Sequence, residues 1–106
     1  MQVSPEILDE LVRRLVQAVQ PTRIILFGSA ARGDMHEHSD LDVLVVVPDG
    51  VPQREGWERA HASLRRFGMA IDLLVVNESV LLRHAASPGL VFERALHDGK
   101  ELYRAA

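Results

Sequence analysis

The sequence predicts an α/β fold in which helices alternate with strands that are buried on both faces. Three short runs are almost wholly apolar and are bounded by proline, glycine or polar residues: Arg23–Phe27, Asp42–Val47 and Ala70–Val76. Before and between them, apolar residues recur with the three- and four-residue spacing of amphipathic helices. Because strands that are apolar on both faces need cover on both sides, this order predicts a sheet flanked by helices.

The first half of the chain begins with a helix start signal. Ser4 has the character of an N-cap, Pro5 suits the first helical turn, and Glu6 suits the positive end of a helix. The apolar residues that follow have helical spacing, and Pro21 ends the helix. The β-branched run Arg23–Phe27 predicts a buried strand, and Asp42–Val47 predicts a second strand that Pro48 stops.

The second half continues the alternation. A turn-rich segment leads to a helix from Gln53 to about Phe67, which we expect Gly68 to close. Trp57, Ala60, Leu64 and Phe67 share one face of this predicted helix. The remaining expected elements are a third strand, a helical turn, a short helix and an edge strand: Ala70–Val76, Ser79–His84, Leu90–His97 and Glu101–Arg104.

Composition predicts one domain, residues 1–106, located in the cytoplasm. A chain of 106 residues is near the common size of a single core, and it contains no cysteine for a disulfide scaffold. The net charge of −3 gives no reason to expect nucleic acid or an anionic membrane as partner. The longest aliphatic run, Val43–Val47, is far shorter than the ~20 residues of a membrane span. We see no signal-peptide pattern at the N-terminus.

Two aspartates lie one residue apart where the second strand begins. If Asp40 and Asp42 are both extended, their side chains project to the same face with Cα atoms ~6.5–7 Å apart. A third carboxylate, Asp72, interrupts the apolar run of the third strand and needs a partner if it is buried. If the second and third strands are neighbours, the three carboxylates converge. Oxygen ligands of this kind suit a hard divalent cation such as Mg²⁺.

A glycine-containing turn precedes the aspartates. Gly28 and Ser29 follow the first strand and lead into a plausible helical turn, "AARG". Glycine permits close backbone approach, and free N–H groups where a helix begins favour phosphate. The Ser29 hydroxyl and the Arg32 guanidinium add donors suited to a triphosphate. The P-loop and the Rossmann glycine fingerprint are both absent from the sequence.

The combined pattern resembles the signature of the DNA polymerase β-like nucleotidyltransferase superfamily. Gly28-Ser29, three intervening residues, Gly33, five intervening residues and then Ser39-Asp40-Leu41-Asp42 make up the motif. The short chain and "GSAARG" are most similar to the minimal nucleotidyltransferases. These are antitoxin-type partners of small all-helical toxins with the higher-eukaryote-and-prokaryote nucleotide-binding (HEPN) fold. The resemblance implies a palm-like α/β fold with a small mixed sheet.

The resemblance also implies an activity and a set of site residues. Asp40, Asp42 and Asp72 would bind Mg²⁺, two ions in all, with Asp72 also serving as general base. The nucleotide would be bound by Gly28, Ser29, Arg32 and Ser39. The reaction would be attack on the α-phosphate of ATP, with release of pyrophosphate and transfer of AMP. Because this chain resembles the short members, the acceptor would be bound by a partner or be the partner itself. A tyrosine of a HEPN-type toxin in a hetero-oligomer is the leading expectation.

Two other functions stay open on the sequence alone. One is a non-catalytic antitoxin that masks its toxin by binding it. The other is a nucleotidyltransferase that modifies a small molecule or RNA with a separate substrate-binding subunit. Among lesser features, His36 and His38 on either side of Glu37 are interpreted as solvated loop residues rather than metal ligands. Asp34 is also interpreted as a loop residue. The arginine pairs at 13–14 and 65–66 are interpreted as solvated helix faces, with a surface for an acidic partner as the alternative.

Overall fold

The protein is built on a four-stranded mixed sheet. A computed structural model describes residues 3–33, 40–84 and 91–106. The strands are β1 (Arg23–Phe27), β2 (Leu41–Val47), β3 (Ile71–Asn77) and β4 (Lys100–Arg104). Their order is β3-β2-β1-β4, with β1 antiparallel to both neighbours and β2 parallel to β3. The α/β class with a small mixed sheet and flanking helices is thereby confirmed.

Five helices are found in the described part of the chain. They are α1 (Pro5–Val19), α2 (Gly28–Arg32), α3 (Gln53–Ser63), α4 (Glu78–His84) and α5 (Val91–Asp98). The expected cap of α1 is present, because the Ser4 hydroxyl accepts a hydrogen bond of 3.3 Å from the backbone N–H of Ile7. None of the helices in these residues is both long and apolar enough to cross a membrane.

The sheet separates two apolar clusters, one on each face. On one face, α1 and α3 cover the odd-numbered residues of β2 and β3 with Leu11, Leu15 and Ala60. On the other, α4 and α5 contribute Leu81 and Ala95 to a smaller cluster over the even-numbered residues. Side chains alternate along a strand, so β2 buries Leu41 and the whole run 43–47 against one cluster or the other. This explains why its sequence is a continuous apolar run.

Helix α3 is shorter than the sequence predicts. It ends at Ser63, and residues 64–67 form a turn. The hydrogen bonds of this turn join residues three apart, such as Phe67 N–H to Leu64 C=O at 3.2 Å. Arg66 is left-handed with φ 57°, which is incompatible with continuing the helix. The prediction that Gly68 closes α3 was therefore wrong, although its φ of +97° does make it a turn glycine.

Trp57 does not lie on the core face of α3. It is 37% exposed and stacks on the imidazole of His61, with ring centroids 4.6 Å apart. The sheet is contacted by Gly56 and Ala60, both buried. A Cβ at Gly56 would lie 3.3 Å from a methyl of Val75, so the small residue permits close helix–strand packing. This shifts the buried face of α3 one residue from the expected position.

Candidate active site

Two of the three predicted acidic residues are direct neighbours in the sheet. Asp42 of β2 is the register partner of Asp72 of β3 in a parallel pair. Their backbones are therefore about 4.8 Å apart, and both side chains leave the sheet on the α4/α5 face. The condition set by the sequence, that the second and third strands be adjacent, is met. Asp72 is exposed rather than buried, because β3 is an edge strand.

Asp42 also contacts the turn that follows β1. Phe27 is its register partner on that side, and Gly28 comes next with φ +70°. A Cβ built on Gly28 would lie 2.1 Å from Oδ2 of Asp42, well inside contact distance. Position 28 therefore needs glycine for two reasons: a left-handed backbone and the space that the carboxylate occupies. The turn and the carboxylate form one packed unit.

Burial and two acidic neighbours together disfavour the charged form of Asp42. Burial raises the pKa of Asp42, and the charge of Asp72, a hydrogen bond with it and the charge of Asp40 raise it further. The guanidinium of Arg32 acts in the opposite direction. The local excess of negative charge is what a bound cation would offset.

The other predicted site residues lie around this pair. Ser29 is in the first turn of α2, and its carbonyl accepts the N–H of Gly33, which ends the helix at φ 78°. Arg32 is exposed at the C-terminal end of α2. Asp40 is exposed and precedes β2, whose pairing starts where Leu41 N–H donates to the Ala70 carbonyl, 3.0 Å. Ser39 and residues 34–38, including both loop histidines, lie outside the described residues.

The donor set fits a hard divalent cation, although the carboxylates do not form a ready three-ligand cage. Over residues 3–33, 40–84 and 91–106, no three His, Asp or Glu side chains are grouped as a metal site. Asp42 and Asp72 supply adjacent carboxylate oxygens, and Asp40 is close enough to raise the pKa of Asp42. Oxygen-only ligands with uncompensated charge are the type that Mg²⁺ prefers.

The sequence did not indicate the contact between Gly28 and Asp42. Glycine after an apolar strand is a visible signal of a special backbone, yet its partner lies 14 positions away in the chain. Only the antiparallel register of β1 and β2 brings the two together. The sequence predicted Gly28 only as part of a phosphate-binding turn. That it also leaves room for the Asp42 carboxylate is seen only in the structure.

The mixed sheet, with paired carboxylates against a strand-to-helix glycine turn, agrees with the fold and the residue placement that the sequence motif implies. Comparison with known families makes the class of protein definite. Residues 8–97 match the nucleotidyltransferase domain family, and the chain belongs to it. The resemblance drawn from the sequence motif is thus confirmed.

Two curated relatives are named as protein adenylyltransferases. MntA of Shewanella oneidensis is 30% identical over 80 residues, covering 76% of this chain and 52% of the relative. A candidate protein adenylyltransferase of Methanocaldococcus jannaschii is 40% identical over 53 residues, covering 50% of this chain and 52% of the relative. The chain thus spans about half the length of the curated relatives that it matches.

Solved structures share the fold. A chain in the crystal structure of a toxin–antitoxin with AMP-PNP superposes with a TM-score of 0.68 and 22% identity, covering 92% of this chain and 73% of that one. A chain in the complex of tri-AMPylated Shewanella oneidensis HEPN toxin with MNT antitoxin superposes with a TM-score of 0.62 and 20% identity. The match covers 94% of this chain and 71% of that one. At these identities the likeness establishes the fold.

Proposed function

We propose that this protein is a Mg²⁺-dependent adenylyltransferase that transfers AMP from ATP to a hydroxyl group of a partner protein. The observation that carries the proposal is the carboxylate pair Asp42–Asp72, in register across β2 and β3 and packed against Gly28. Family membership supports the reaction class, and the names of the two relatives support a protein acceptor.

The residues have distinct roles in this proposal. Asp40, Asp42 and Asp72 would hold two Mg²⁺ ions, and the bound metal would stabilise the negative charge that develops in the displacement. The nucleotide phosphates contact the turn of Gly28 and Ser29, and Arg32 and Ser39 are the further nucleotide-binding residues that the sequence motif implies. The left-handed Gly28 lets the backbone approach the phosphates closely while leaving the Asp42 carboxylate in place.

The proposed transfer is a single displacement at the α-phosphorus. The acceptor oxygen forms a bond to that phosphorus, and the bond from it to the oxygen bridging to the β-phosphate breaks. Pyrophosphate leaves, and the proton of the acceptor hydroxyl passes to the Asp72 carboxylate. Asp72 suits this task because its side chain is exposed at the edge of the sheet, where an acceptor has access.

The acceptor we propose is a tyrosine of a HEPN-type toxin, with this protein as the antitoxin of a cytoplasmic pair. The complex of tri-AMPylated HEPN toxin with MNT antitoxin has a chain of the same fold, and MntA is a relative by sequence. A hetero-oligomer with the toxin follows from this assignment.

The test uses labelled ATP, Mg²⁺ and the co-expressed neighbouring gene product or cell lysate. Wild type is compared with Asp42→Asn and with Asp9→Asn, an exposed carboxylate of α1 as a matched control. Label on a protein with wild type and Asp9→Asn, and none with Asp42→Asn, supports the proposal. A stable complex that never becomes labelled points to a masking antitoxin, and label on RNA or a small molecule points to a different acceptor.

A further inference from the structure

Strand β3 has an open outer edge beside the acid pair, Asp42 and Asp72. Within the described residues no strand lies beyond it. The carbonyl of Ala70 accepts from Leu41 of the neighbouring β2, whereas the Val75 carbonyl accepts from the side-chain amide of Gln53, 3.0 Å, on the other side. Because successive carbonyls alternate, the backbone groups of Ile71 and Leu73 face outward as well. These groups can pair with an added strand.

The two faces of an added strand would meet different surroundings. Ile71 and Leu73 belong to the apolar cluster on the α1/α3 face, whereas Asp72 between them lies on the opposite face with Asp42. Side chains directly opposite each other in paired strands share a face. A residue placed opposite Asp72 would therefore present its side chain to the acid pair, and its two neighbours would point to the α1/α3 face.

The α1/α3 face offers a cleft for those neighbours. The cleft has a volume of about 160 Å³ and lies between β3 and the turn after α3. It is lined by His61, Leu64, Arg65, Met69, Ile71 and Leu73. Four of these six side chains are aliphatic or methionine, which suits an apolar side chain from a partner.

Basic side chains continue this surface beyond the start of β3. A second, open depression of about 570 Å³ brings together Arg13, Arg14, Arg65 and Arg66, so Arg65 lines both. The Arg14 guanidinium is held by the carbonyls of Ser63 and Arg65, at 3.3 and 2.9 Å. In the described part of the chain Arg65 and Arg66 form no ion pair, and Glu10 pairs with Arg13 and Arg14.

We propose that an extended acceptor segment of the partner, outside the helices of a HEPN-type toxin, pairs antiparallel with the outer edge of β3 as an extra strand. The segment contains a hydroxyl residue with one apolar residue on each side of it. Acidic residues follow this triplet where the segment passes Ile71, the first residue of β3. The hydroxyl residue of the triplet lies opposite Asp72, and its two apolar residues point towards the cleft. The acidic residues form ion pairs with the arginine cluster, which consists of Arg13, Arg14, Arg65 and Arg66. This docking surface rests on the proposed AMP transfer and specifies the class of acceptor sequence.

Designed peptides test the proposal directly. The reference peptide contains Leu-Tyr-Leu followed by Glu-Asp-Glu. A second peptide with the same composition has Leu-Leu-Tyr, and a third has Gln-Asn-Gln in place of the acidic residues. With labelled ATP and Mg²⁺, we expect KM for the reference peptide to be about tenfold lower than for either control, with less change in kcat. Equal KM values for the three would overturn the proposal.

Binding is measured separately from catalysis with a fluorescein-labelled reference peptide and the Asp42→Asn protein. Arg65→Ser and Met69→Gln are each expected to weaken the anisotropy-derived Kd about tenfold. Their matched controls are Arg54→Ser, an exposed arginine of α3, and Leu82→Gln, a 70% exposed leucine of α4. Circular dichroism melting of each variant establishes that it is folded. No binding of the peptide, or equal loss in test and control variants, would overturn the surface.

The outcomes separate the docking surface from the proposed function. If a toxin is labelled with a KM that Arg65→Ser and Met69→Gln leave unchanged, the docking surface is wrong and AMP transfer stands. If the peptide binds through these residues but no hydroxyl is ever labelled, AMP transfer is wrong and the surface stands. If a labelled oligothymidylate binds more tightly than the peptide and needs Arg65, the cluster is a nucleic-acid site and the proposal falls.

Discussion

Replacing Gly28 with alanine adds one carbon at the point where the turn contacts the acid pair. The new Cβ would lie 2.1 Å from Oδ2 and 3.0 Å from Cγ of Asp42, and the residue has φ +70°. No side-chain rotation of alanine relieves this contact. Either the turn or the Asp42 carboxylate must move by about 1 Å, because contacts below ~3 Å are not sustained in packed proteins.

The two effects have different expected magnitudes. The left-handed conformation costs a non-glycine residue about 1–2 kcal/mol, which for a domain of this size lowers the melting temperature by about 4–8 °C for each kcal/mol. A misplacement of about 1 Å in reacting groups lowers the rate by about 100-fold. We therefore expect Gly28→Ala to be folded, moderately destabilised and about 100-fold slower in AMP transfer at saturating ATP and acceptor.

Gly68→Ala is the matched control. Gly68 is also left-handed, with φ +97°, but a Cβ there would have nothing within 4 Å. It should lose only the stability due to backbone strain, about 1–2 kcal/mol, with little change in kcat. Thermal unfolding followed by circular dichroism and steady-state transfer of labelled AMP give the two quantities on the same preparations.

The contact with Asp42 can be isolated further by a double-variant cycle. In the Asp42→Ala background the obstructing carboxylate is absent, so Gly28→Ala should cost only its backbone strain. A kcat for Gly28→Ala as high as that for Gly68→Ala would refute the reasoning that the glycine protects the carboxylate's position. An equal stability cost in both backgrounds would show that the contact is relieved without consequence.

Three further variants test the site and the packing around it. Asp42→Asn should lower AMP transfer about 1,000-fold or more. It should nevertheless raise the melting temperature of the metal-free protein, because it removes a carboxylate whose charged form is disfavoured by burial and by Asp72. Mg²⁺ should raise the melting temperature of wild type and not that of the variant. Gly99→Ala should cost about 1–3 kcal/mol in urea unfolding, since its Cβ would lie 2.1 Å from a backbone carbonyl of α5, whereas Gly50→Ala, with open space, should be neutral. Arg14→Leu should cost about 1–2 kcal/mol through its two carbonyl bonds, against less than about 0.5 kcal/mol for the exposed Arg54→Leu.

The strands were predictable because their burial leaves a direct mark on the sequence. β1 agrees with its predicted bounds, and β2 and β3 agree within one residue at each end. In β2 every residue but Asp42 is buried, so the run is apolar throughout and the one aspartate stands out. The same contrast identified Asp72. Which strands are neighbours cannot be read from such runs, yet that adjacency is what turns two separate aspartates into a pair.

Features that depend on distant residues were less accessible. The early end of α3 involves Arg14, whose guanidinium binds the carbonyls of Ser63 and Arg65 and lies 5.4 Å from the centre of the Phe67 ring. Local helix propensity cannot register a partner about 50 positions away. The exposure of Asp72 has the same kind of origin, since the strand's apolar composition suggests an interior position while the topology places it at an edge.

The position of the acid pair within the sheet bears on the proposed reaction. Asp42 lies on an interior strand and is enclosed on one side by β1 and the Gly28 turn, whereas Asp72 lies on the edge strand and is open on the other. An in-line displacement needs the leaving and attacking oxygens on opposite sides of the phosphorus. With the triphosphate on the side of the glycine turn, the leaving pyrophosphate lies there too. The attacking hydroxyl must then arrive from the side of β3, which is the side where the open strand edge and the apolar cleft are found.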